Sequence, residues 1–283
     1  MFTNRAAGKM LRPVALLLIV LTASTHAAIM REDLDATVPL QAEAVNAIKR
    51  AQKWLVKKQG RSGTWGNNGN TAMAVMALMV SGNSPGKGEF GAAISKGIDY
   101  LISTQDGNGF MAVGRRGPMY QHALATLALA EAYGMTSNPS IRDALIKGVD
   151  LIVQCQDYGG GWRYSPRPSK GDMSVTVMQV MALRAAAETG VYVPDETIEH
   201  AMRFINDCWN PEKAGWTYMK RRGTINFNRT AAGIVCLQSL GRYDDPRLKR
   251  AVESVQQRAF NEDKGRHFWY GHYYASVALY HYG

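Results

Sequence analysis

The feature that most constrains the fold of this chain is an internal repeat of about fifty residues. Four segments align without gaps, and each ends at the same position of the repeat, at Gln59, Gln105, Gln156 and Trp209. A weaker fifth copy spans residues 251–260. Each copy runs into a glycine and an aromatic residue, such as Gly161-Trp162. A repeat of this length is typical of stacked helical hairpins.

Each copy contains two segments of different character. The first is amphipathic, with Ala47, Ile48, Ala51, Trp54 and Leu55 on one face in copy one. The second is apolar on nearly every face, as in residues 72–80, 123–133, 175–187, 231–240 and 274–280. Helices that are apolar all round are buried on all sides. The pattern therefore predicts an all-α protein, an α/α toroid or double-shell helical barrel of five hairpins.

The first residues predict export. Three basic residues precede an apolar run, Val14 to Leu21, and a small-x-small pattern, Thr25-His26-Ala27, follows it. The apolar run is short for a bilayer span, which is typical of a signal peptide. We expect a signal peptide at 1–27, an N-terminal segment at 28–42 and the repeat domain at 43–283, with an uncleaved anchor as the alternative. The mature chain is then secreted or periplasmic and has no transmembrane segment.

The charge and the cysteines limit the partners and cofactors. The chain has 33 Lys and Arg against 23 Asp and Glu, a net charge of +10. In an exported protein this favours anionic envelope polymers or lipid headgroups as partners over nucleic acid.

Cys155, Cys208 and Cys236 form no disulfide framework, and no Cys/His pair has zinc spacing. We expect buried free thiols, no metal and no cofactor.

The repeat resembles a known family. Gln59 followed by Gly63-Thr64-Trp65, and Gln156 followed by Gly160-Gly161-Trp162, are similar to the QW repeat of squalene cyclases. The segment 172–176, Asp-Met-Ser-Val-Thr, resembles the prenyltransferase/squalene-oxidase repeat. The resemblance covers residues 43–283 and implies a terpenoid cyclase-like toroid. It also implies that the Gln and the Trp tie the end of an outer helix to the start of an inner one.

The resemblance also bears on ring closure. Closed toroids of this family use about six hairpins, and the sequence contains five. We therefore expect an incomplete arc, or a gap filled by a partner chain or by residues 31–42.

The catalytic motifs of the related enzymes are absent. Class II cyclases protonate their substrate with a DxDD cluster, and no DxDD occurs in this chain. Protein prenyltransferases hold zinc through an Asp, a Cys and a His. The corresponding positions here are Asp172, Ser174 and Ala232, so the zinc site of that family is lost. The sequence leaves open whether the chain is an enzyme.

Polar residues recur near the start of the second helix in each copy, at Thr71, His122, Thr176, Thr230 and His272. One interpretation is a polar belt inside the barrel mouth, with Asp172, His122 and His272 as candidate catalytic residues and His122–Asp172 as an acid/base pair. The alternative, which we favour, is that these side chains cap or hydrogen-bond the inner helices, with Asp172 as an N-cap.

The loops that lead into the second helices are basic. Helix N-termini attract anions, and in a toroid these loops share one rim, so we expect ligand-binding residues there. The candidates are Arg115, Arg116, Arg163, Arg167, Lys220, Arg221, Arg222 and Tyr120. An apolar wall that includes Phe110, Trp162, Trp216 and Tyr273 is expected below them. An ordinary solvated rim is the alternative interpretation.

These features support three functions. The first is an exported binding or scaffold toroid with a basic-rimmed apolar cavity for an anionic lipid or isoprenoid-like ligand. The second is a terpenoid- or isoprenoid-processing enzyme, cyclase-like or transferase-like. The third is a lyase or binder for an acidic polysaccharide. Fold analogy does not choose among them.

Overall fold

The computed structural model describes residues 39–114, 117–259 and 267–283. The predicted signal peptide and most of the predicted N-terminal segment lie outside these ranges. The described helices are α1 (Pro39–Lys58), α2 (Asn68–Met79), α3 (Gly91–Ser103), α4 (Pro118–Thr136), α5 (Pro139–Gln154), α6 (Met173–Glu188), α7 (Asp195–Cys208), α8 (Phe227–Ser239), α9 (Arg247–Ala259) and α10 (Phe268–Tyr282). Two short strands, β1 (Trp209–Asn210) and β2 (Gly215–Trp216), pair in antiparallel register.

The ten helices form five hairpins in two layers. The even-numbered helices pack against one another in the order α2, α4, α6, α8, α10 and form the inner layer. Each odd-numbered helix packs outside its neighbours. This is an α/α toroid, and the all-α prediction is confirmed. None of the helices among residues 39–114, 117–259 and 267–283 is long and apolar enough to cross a membrane.

The two layers follow from the residue pattern. In α4 the side chains of Ala123, Ala128, Leu129 and Ala132 are all fully buried, because outer helices and both neighbouring inner helices pack around this helix. In α5 the buried residues recur at helical spacing, at Ile141, Leu145, Val149 and Ile152, and the opposite face meets solvent. Outer helices thus need one apolar stripe, and inner helices need apolar residues on every side.

The turn after each of the first three outer helices contains a glycine that approaches the next repeat closely. Gly63, Gly109 and Gly160 all have positive φ, between 88° and 90°. A Cβ atom on Gly160 would lie 1.8 Å from the carbonyl oxygen of His200, and the other two glycines meet Lys96 and Lys147 in the same way. Only glycine fits this backbone conformation and this contact.

The repeated glutamine links one repeat to the next. Gln156 Nε2 donates to the carbonyl of Gly160 at 3.0 Å and to that of Thr197 in α7 at 2.9 Å. Gln59 and Gln105 make the equivalent pairs of bonds. The family resemblance implied that this side chain ties an outer helix to an inner one. The structure corrects this, since the glutamine reaches the following outer helix.

The motif tryptophans stay within their own repeat. The indole Nε1 of Trp65, Trp162 and Trp216 donates to a carbonyl near the end of the preceding outer helix, at 2.8, 2.7 and 3.0 Å. Trp162 and Trp216 are fully buried and belong to the core. The sequence predicted them in the wall of a cavity, and the structure corrects this.

In the second repeat the structure corrects the sequence alignment. Met111, not Phe110, lies six residues after the motif glutamine, where repeats one and three have Trp. The side chain of Met111 is fully buried against Gly148 of the next outer helix, and the partly buried Trp65 lies against Gly97 in the same way. Phe110 instead packs on His122, with ring centroids 5.5 Å apart.

The two ends of the layered arc differ from its middle. Within the described residues, α2 and α10 are not in extensive contact, so the inner helices form an open series and not a closed ring. Large apolar side chains are exposed at both ends, including Trp54 on α1 and Trp269 on α10, which are 57% and 83% exposed. The expected incomplete arc agrees with this arrangement.

Candidate functional site

The site lies where the inner helices begin. The N-termini of α4, α6, α8 and α10 converge at one rim, as the sequence predicted. Five side chains from the starts of these helices, together with their loop neighbours, form a cluster. We call it the mouth cluster: Tyr120, Asp172, Ser174, Arg229 and Tyr270 with Arg163, Tyr164 and Tyr218.

A directed chain of hydrogen bonds runs through this cluster. The hydroxyl of Ser174 donates to Asp172 Oδ1 at 2.5 Å, and the hydroxyls of Tyr120 and Ser174 lie 2.7 Å apart. Since the Ser174 proton is directed to the carboxylate, Tyr120 is the donor to Ser174. The hydroxyl of Tyr270 donates to the carbonyl of Ser174 at 3.3 Å. Side chains of three inner helices thus meet at Ser174.

Asp172 is the most constrained member. It caps α6 by accepting from the backbone N–H of Val175 at 3.1 Å, as the favoured interpretation predicted. It is fully buried, and its Oδ2 has no hydrogen-bond partner among the described residues. Burial raises the pKa of this carboxyl above its usual range, while Ser174, Val175, the positive charge of Arg163 and the nearby Tyr218 hydroxyl partly offset the shift.

Two tyrosines and two arginines lie on the outer side of this series of hydrogen bonds. The hydroxyls of Tyr164 and Tyr218 are 2.6 Å apart. The Arg163 guanidinium lies over both rings, 5.4 Å from the centroid of Tyr164 and 5.8 Å from that of Tyr218. Arg229 approaches Tyr218 at 6.0 Å. Burial raises the pKa of Tyr120, Tyr218 and Tyr270, so these hydroxyls stay protonated and remain hydrogen-bond donors.

A groove of about 490 Å³ adjoins the mouth cluster between the loops of repeats three and four. We call it the basic groove. Phe204, Pro168 and Met219 supply apolar surface, and Lys170, Lys220 and Arg222 supply positive charge. Asp157 also lines the groove, but its two oxygens accept from the backbone N–H groups of Gly161 and Gly171, both at 2.9 Å.

The basic groove and the mouth cluster are physically connected. Arg163 Nη1 donates to the carbonyl of Lys170 at 3.3 Å and lies 3.4 Å from the Met219 sulfur. Lys220 forms an ion pair with Asp207 at 2.8 Å, with both side chains about two-fifths exposed. The cations of Lys170 and Arg222 have no ion-pair partner among the described residues. An anion in the groove would therefore meet charges that are not already neutralised.

The structure does not bring His122 and Asp172 together. The His122 ring is fully buried, its Nδ1 accepts from the backbone N–H of Met111 at 3.2 Å, and its Nε2 donates to the carbonyl of Gly148 at 3.1 Å. Burial lowers the pKa of His122 to about 4, so the ring is neutral. Both ring nitrogens hold backbone groups in place.

The other polar-belt residues have similar surroundings. Thr71 and Thr176 each accept the backbone N–H of a motif tryptophan, Trp65 or Trp162, at 3.1 Å. The Nδ1 of His272 donates to the carbonyl of Phe268 at 2.9 Å, and its ring stacks on Phe268 with centroids 4.0 Å apart. These contacts agree with the capping and hydrogen-bonding interpretation of the belt.

The remaining rim candidates lie apart from the cluster. Arg167 and Arg221 are exposed, and Arg221 adopts a positive φ of 48° while its backbone N–H donates to the carbonyl of Asp207. Arg115 and Arg116 lie outside the described residues. Of the eight predicted ligand-binding residues, the structure places Arg163 and Tyr120 in the mouth cluster and Lys220 and Arg222 in the basic groove.

Sequence reasoning missed Ser174, Arg229, Tyr164 and Tyr218 as site residues. A signal for the two tyrosines was present, because each lies two residues after a motif tryptophan, in Trp162-Arg163-Tyr164 and Trp216-Thr217-Tyr218. Their carbonyls also accept the backbone N–H groups of Met119 and Met173 at the starts of α4 and α6. The repeated Trp-x-Tyr therefore marks where a loop reaches the neighbouring inner helix.

The three cysteines are buried and free, as predicted. Burial raises the pKa of Cys155 to about 11 and that of Cys208 to about 12, so the thiols stay protonated. In the part of the chain that the structure describes, no group of three or more His, Cys, Asp and Glu side chains is arranged to hold a metal ion.

In structure the chain is similar to the type II terpene cyclase MstE from Scytonema. A variant of that protein in complex with its substrate geranylgeranyl dihydroxybenzoate matches with a TM-score of 0.50 and 16% identity, over 82% of this chain and 66% of the other. A second variant, in complex with its product merosterolic acid A, matches with a TM-score of 0.49 and 16% identity, over 86% and 69%. The sequence matches no protein-family profile and no curated protein.

Proposed function

We propose that this chain is an exported binding protein for an anionic amphiphile, which it holds at the inner-helix N-termini. The basic groove carries the proposal, because Lys170, Lys220 and Arg222 stand beside the apolar surface of Phe204, Pro168 and Met219. A ligand with one anionic end and one apolar end can contact both the basic side chains and the apolar surface. A purely ionic or purely apolar ligand satisfies only one.

The mouth cluster supports the same ligand class. Its tyrosine hydroxyls are neutral donors, and Arg163 and Arg229 are permanent cations held against aromatic rings. The N-termini of four inner helices point towards the same rim and add positive potential. Donors, cations and helix dipoles therefore all favour an anionic group at this end of the toroid.

We also infer that the chain is a divergent member of the prenyltransferase/squalene-oxidase repeat family. The support is the equivalent contact set of Gln59, Gln105 and Gln156, which recurs in three successive repeats. The structural likeness to a terpene cyclase agrees with an isoprenoid-like apolar part of the ligand. Secretion or a periplasmic location belongs to the same proposal and follows from residues 1–27.

Calorimetric titration with farnesyl phosphate tests the binding proposal. Farnesol and inorganic phosphate, which each carry one half of the probe, serve as ligand controls. We expect the double variant Lys170→Gln, Arg222→Gln to weaken farnesyl phosphate binding at least tenfold, because two uncompensated cations are lost. Arg142→Gln, an exposed residue on the outer helix α5, is the matched control and should bind like the parent.

Three results would overturn the proposal. The first is that farnesyl phosphate does not bind. The second is that the double variant retains full affinity. The third is that inorganic phosphate binds as tightly as the amphiphile. Tight binding of a uronate polymer without any binding of farnesyl phosphate would favour the acidic-polysaccharide alternative.

A second candidate function, an isoprenoid-processing enzyme, is favoured by Asp172. A buried carboxyl with a raised pKa and one unpartnered oxygen is poised to hold a proton, and Ser174 links it to Tyr120 at the rim. Mass spectrometry of farnesyl diphosphate or squalene incubated with the protein would detect a cyclised or hydrolysed product. Asp172→Asn should abolish any such product and keep the fold, because Asn also caps helices well. Product formation that survives this substitution would remove Asp172 from the chemistry.

A further inference from the structure

The opposite end of the inner layer contains a separate cavity of about 180 Å³. It is lined by the C-terminal halves of four inner helices, α4, α6, α8 and α10. Leu127, Met181, Val235 and Val277 give it an apolar wall. We call it the distal cavity, since the mouth cluster lies at the N-terminal ends of the same helices.

The charges in the distal cavity are mainly negative. Glu131 and Glu188 both line it, and Arg184 and His281 line it beside them. Arg184 Nε donates to Glu188 Oε1 at 2.5 Å, so these two charges neutralise each other. Glu131 has no ion pair among the described residues. Partial desolvation raises the pKa of the Glu131 carboxyl and the nearby Glu188 charge raises it further, while the residue as a whole remains exposed.

An amide in the same wall also lacks a partner. Gln238 lines the distal cavity and is 2% exposed. Its Nε2 donates to the carbonyl of Ala278 at 2.9 Å, and its Oε1 has no hydrogen-bond partner among the described residues. A buried acceptor without a donor is costly, so it indicates a missing donor at this position. The C-terminal ends of the four helices add negative potential of their own.

We propose that the distal cavity binds a small alkylammonium ion. The ammonium group supplies the positive charge that Glu131 lacks and the N–H donor that Gln238 lacks. The alkyl part contacts Leu127, Met181, Val235 and Val277. The apolar wall favours an organic cation over a hydrated metal ion. This site is independent of the basic groove and of its anionic ligand.

Calorimetric titration with butylammonium chloride, against 1-butanol and sodium chloride, tests the proposal. We expect butylammonium to bind and the other two solutes not to. Glu131→Gln should weaken butylammonium binding at least tenfold, because the carboxylate that pairs with the ammonium group is lost. Glu253→Gln removes a carboxylate from the exposed face of α9 and is the matched control.

Equal binding of 1-butanol and butylammonium would show a merely apolar cavity and overturn the proposal. Unchanged affinity in Glu131→Gln, with a melting temperature like that of the parent, would also overturn it. The proposed function fails separately, because its test uses Lys170→Gln and Arg222→Gln at the other end of the helices. Neither result predicts the other.

Discussion

The turns that carry the repeated motif and the rim that carries the mouth cluster differ in how they use similar residues. In the turns, Gln59, Gln105 and Gln156 make the same two backbone contacts in each repeat. At the rim, Asp172 shares its N-cap contact with Asn67 and Asn226, but the bond that it accepts from Ser174 has no counterpart in another described repeat. Residues that recur therefore hold the repeats together, and the chemistry is concentrated where the repeats differ.

This comparison is tested most strongly by Trp162→Ala. The indole is fully buried in the core, so its removal should lower the free energy of unfolding by about 3–5 kcal/mol. Denaturant unfolding measures this change, and Tyr158→Ala, at a fully exposed position, should shift it by less than about 0.5 kcal/mol. Lost ligand binding with unchanged stability would instead place the motif residues in a binding site.

Gln156→Ala should have a smaller effect of the same kind. The substitution removes two hydrogen bonds to backbone carbonyls, which corresponds to a loss of about 1–2 kcal/mol. Gln256→Ala, at an exposed position on α9, is the matched control. If both variants unfold at the same denaturant concentration as the parent, the glutamine contacts do not stabilise the arc and the comparison between turns and rim fails.

Asp172 should give the smallest change in stability, and the change should depend on pH. Because its folded pKa is raised, its contribution to stability is fully present below the unfolded pKa of about 3.9 and is lost as pH rises through the folded pKa. Asp172→Asn keeps the N-cap and removes the titration, so its stability should vary less with pH over this window. A parent and variant with parallel pH profiles would show that Asp172 is not perturbed by burial.

The layered fold was predictable from the sequence because it follows from local periodicity. Ile141, Leu145 and Val149 recur on one face of α5, whereas α4 is apolar all round, and these two patterns require an outer and an inner position. The buried, free cysteines followed from the absence of any pairing pattern. These predictions needed no knowledge of distant contacts.

The contacts between repeats could not be predicted in the same way. The sequence shows that Gln156 recurs, but its partner Thr197 lies 41 residues further along the chain and is chosen by packing of the next helix. Met111 likewise fills a tryptophan position only because it has the right place and enough flexible volume. The site was therefore only partly predictable. Tyr120 and Asp172 were found, but the link through Ser174 depends on how two inner helices meet.

The junction between the fourth and fifth repeats lacks the glutamine, because Trp209 occupies its position. Two arginines of α9 make the crossing instead. Arg247 Nη1 donates to Asn206 Oδ1 at 2.7 Å and its guanidinium lies 6.0 Å from the Trp209 ring, and Arg250 donates to the carbonyl of Pro211 at 2.7 Å. The first three junctions thus use neutral amides, and this one uses two guanidinium groups, of which that of Arg247 is also paired with Asp245 at 2.6 Å.

Contacts between repeats that involve neutral amides and contacts that involve charged side chains depend differently on ionic strength. Salt weakens the ion pair between Arg247 and Asp245 that holds this arginine in place, and it leaves amide–carbonyl bonds nearly unchanged. Raising the ionic strength should therefore loosen the last hairpin before any other, so that amide hydrogen exchange in α9 and α10 accelerates while α4 and α6 stay protected. The order in which this arc opens would then be set by the one position where a charged crossing replaces a neutral one.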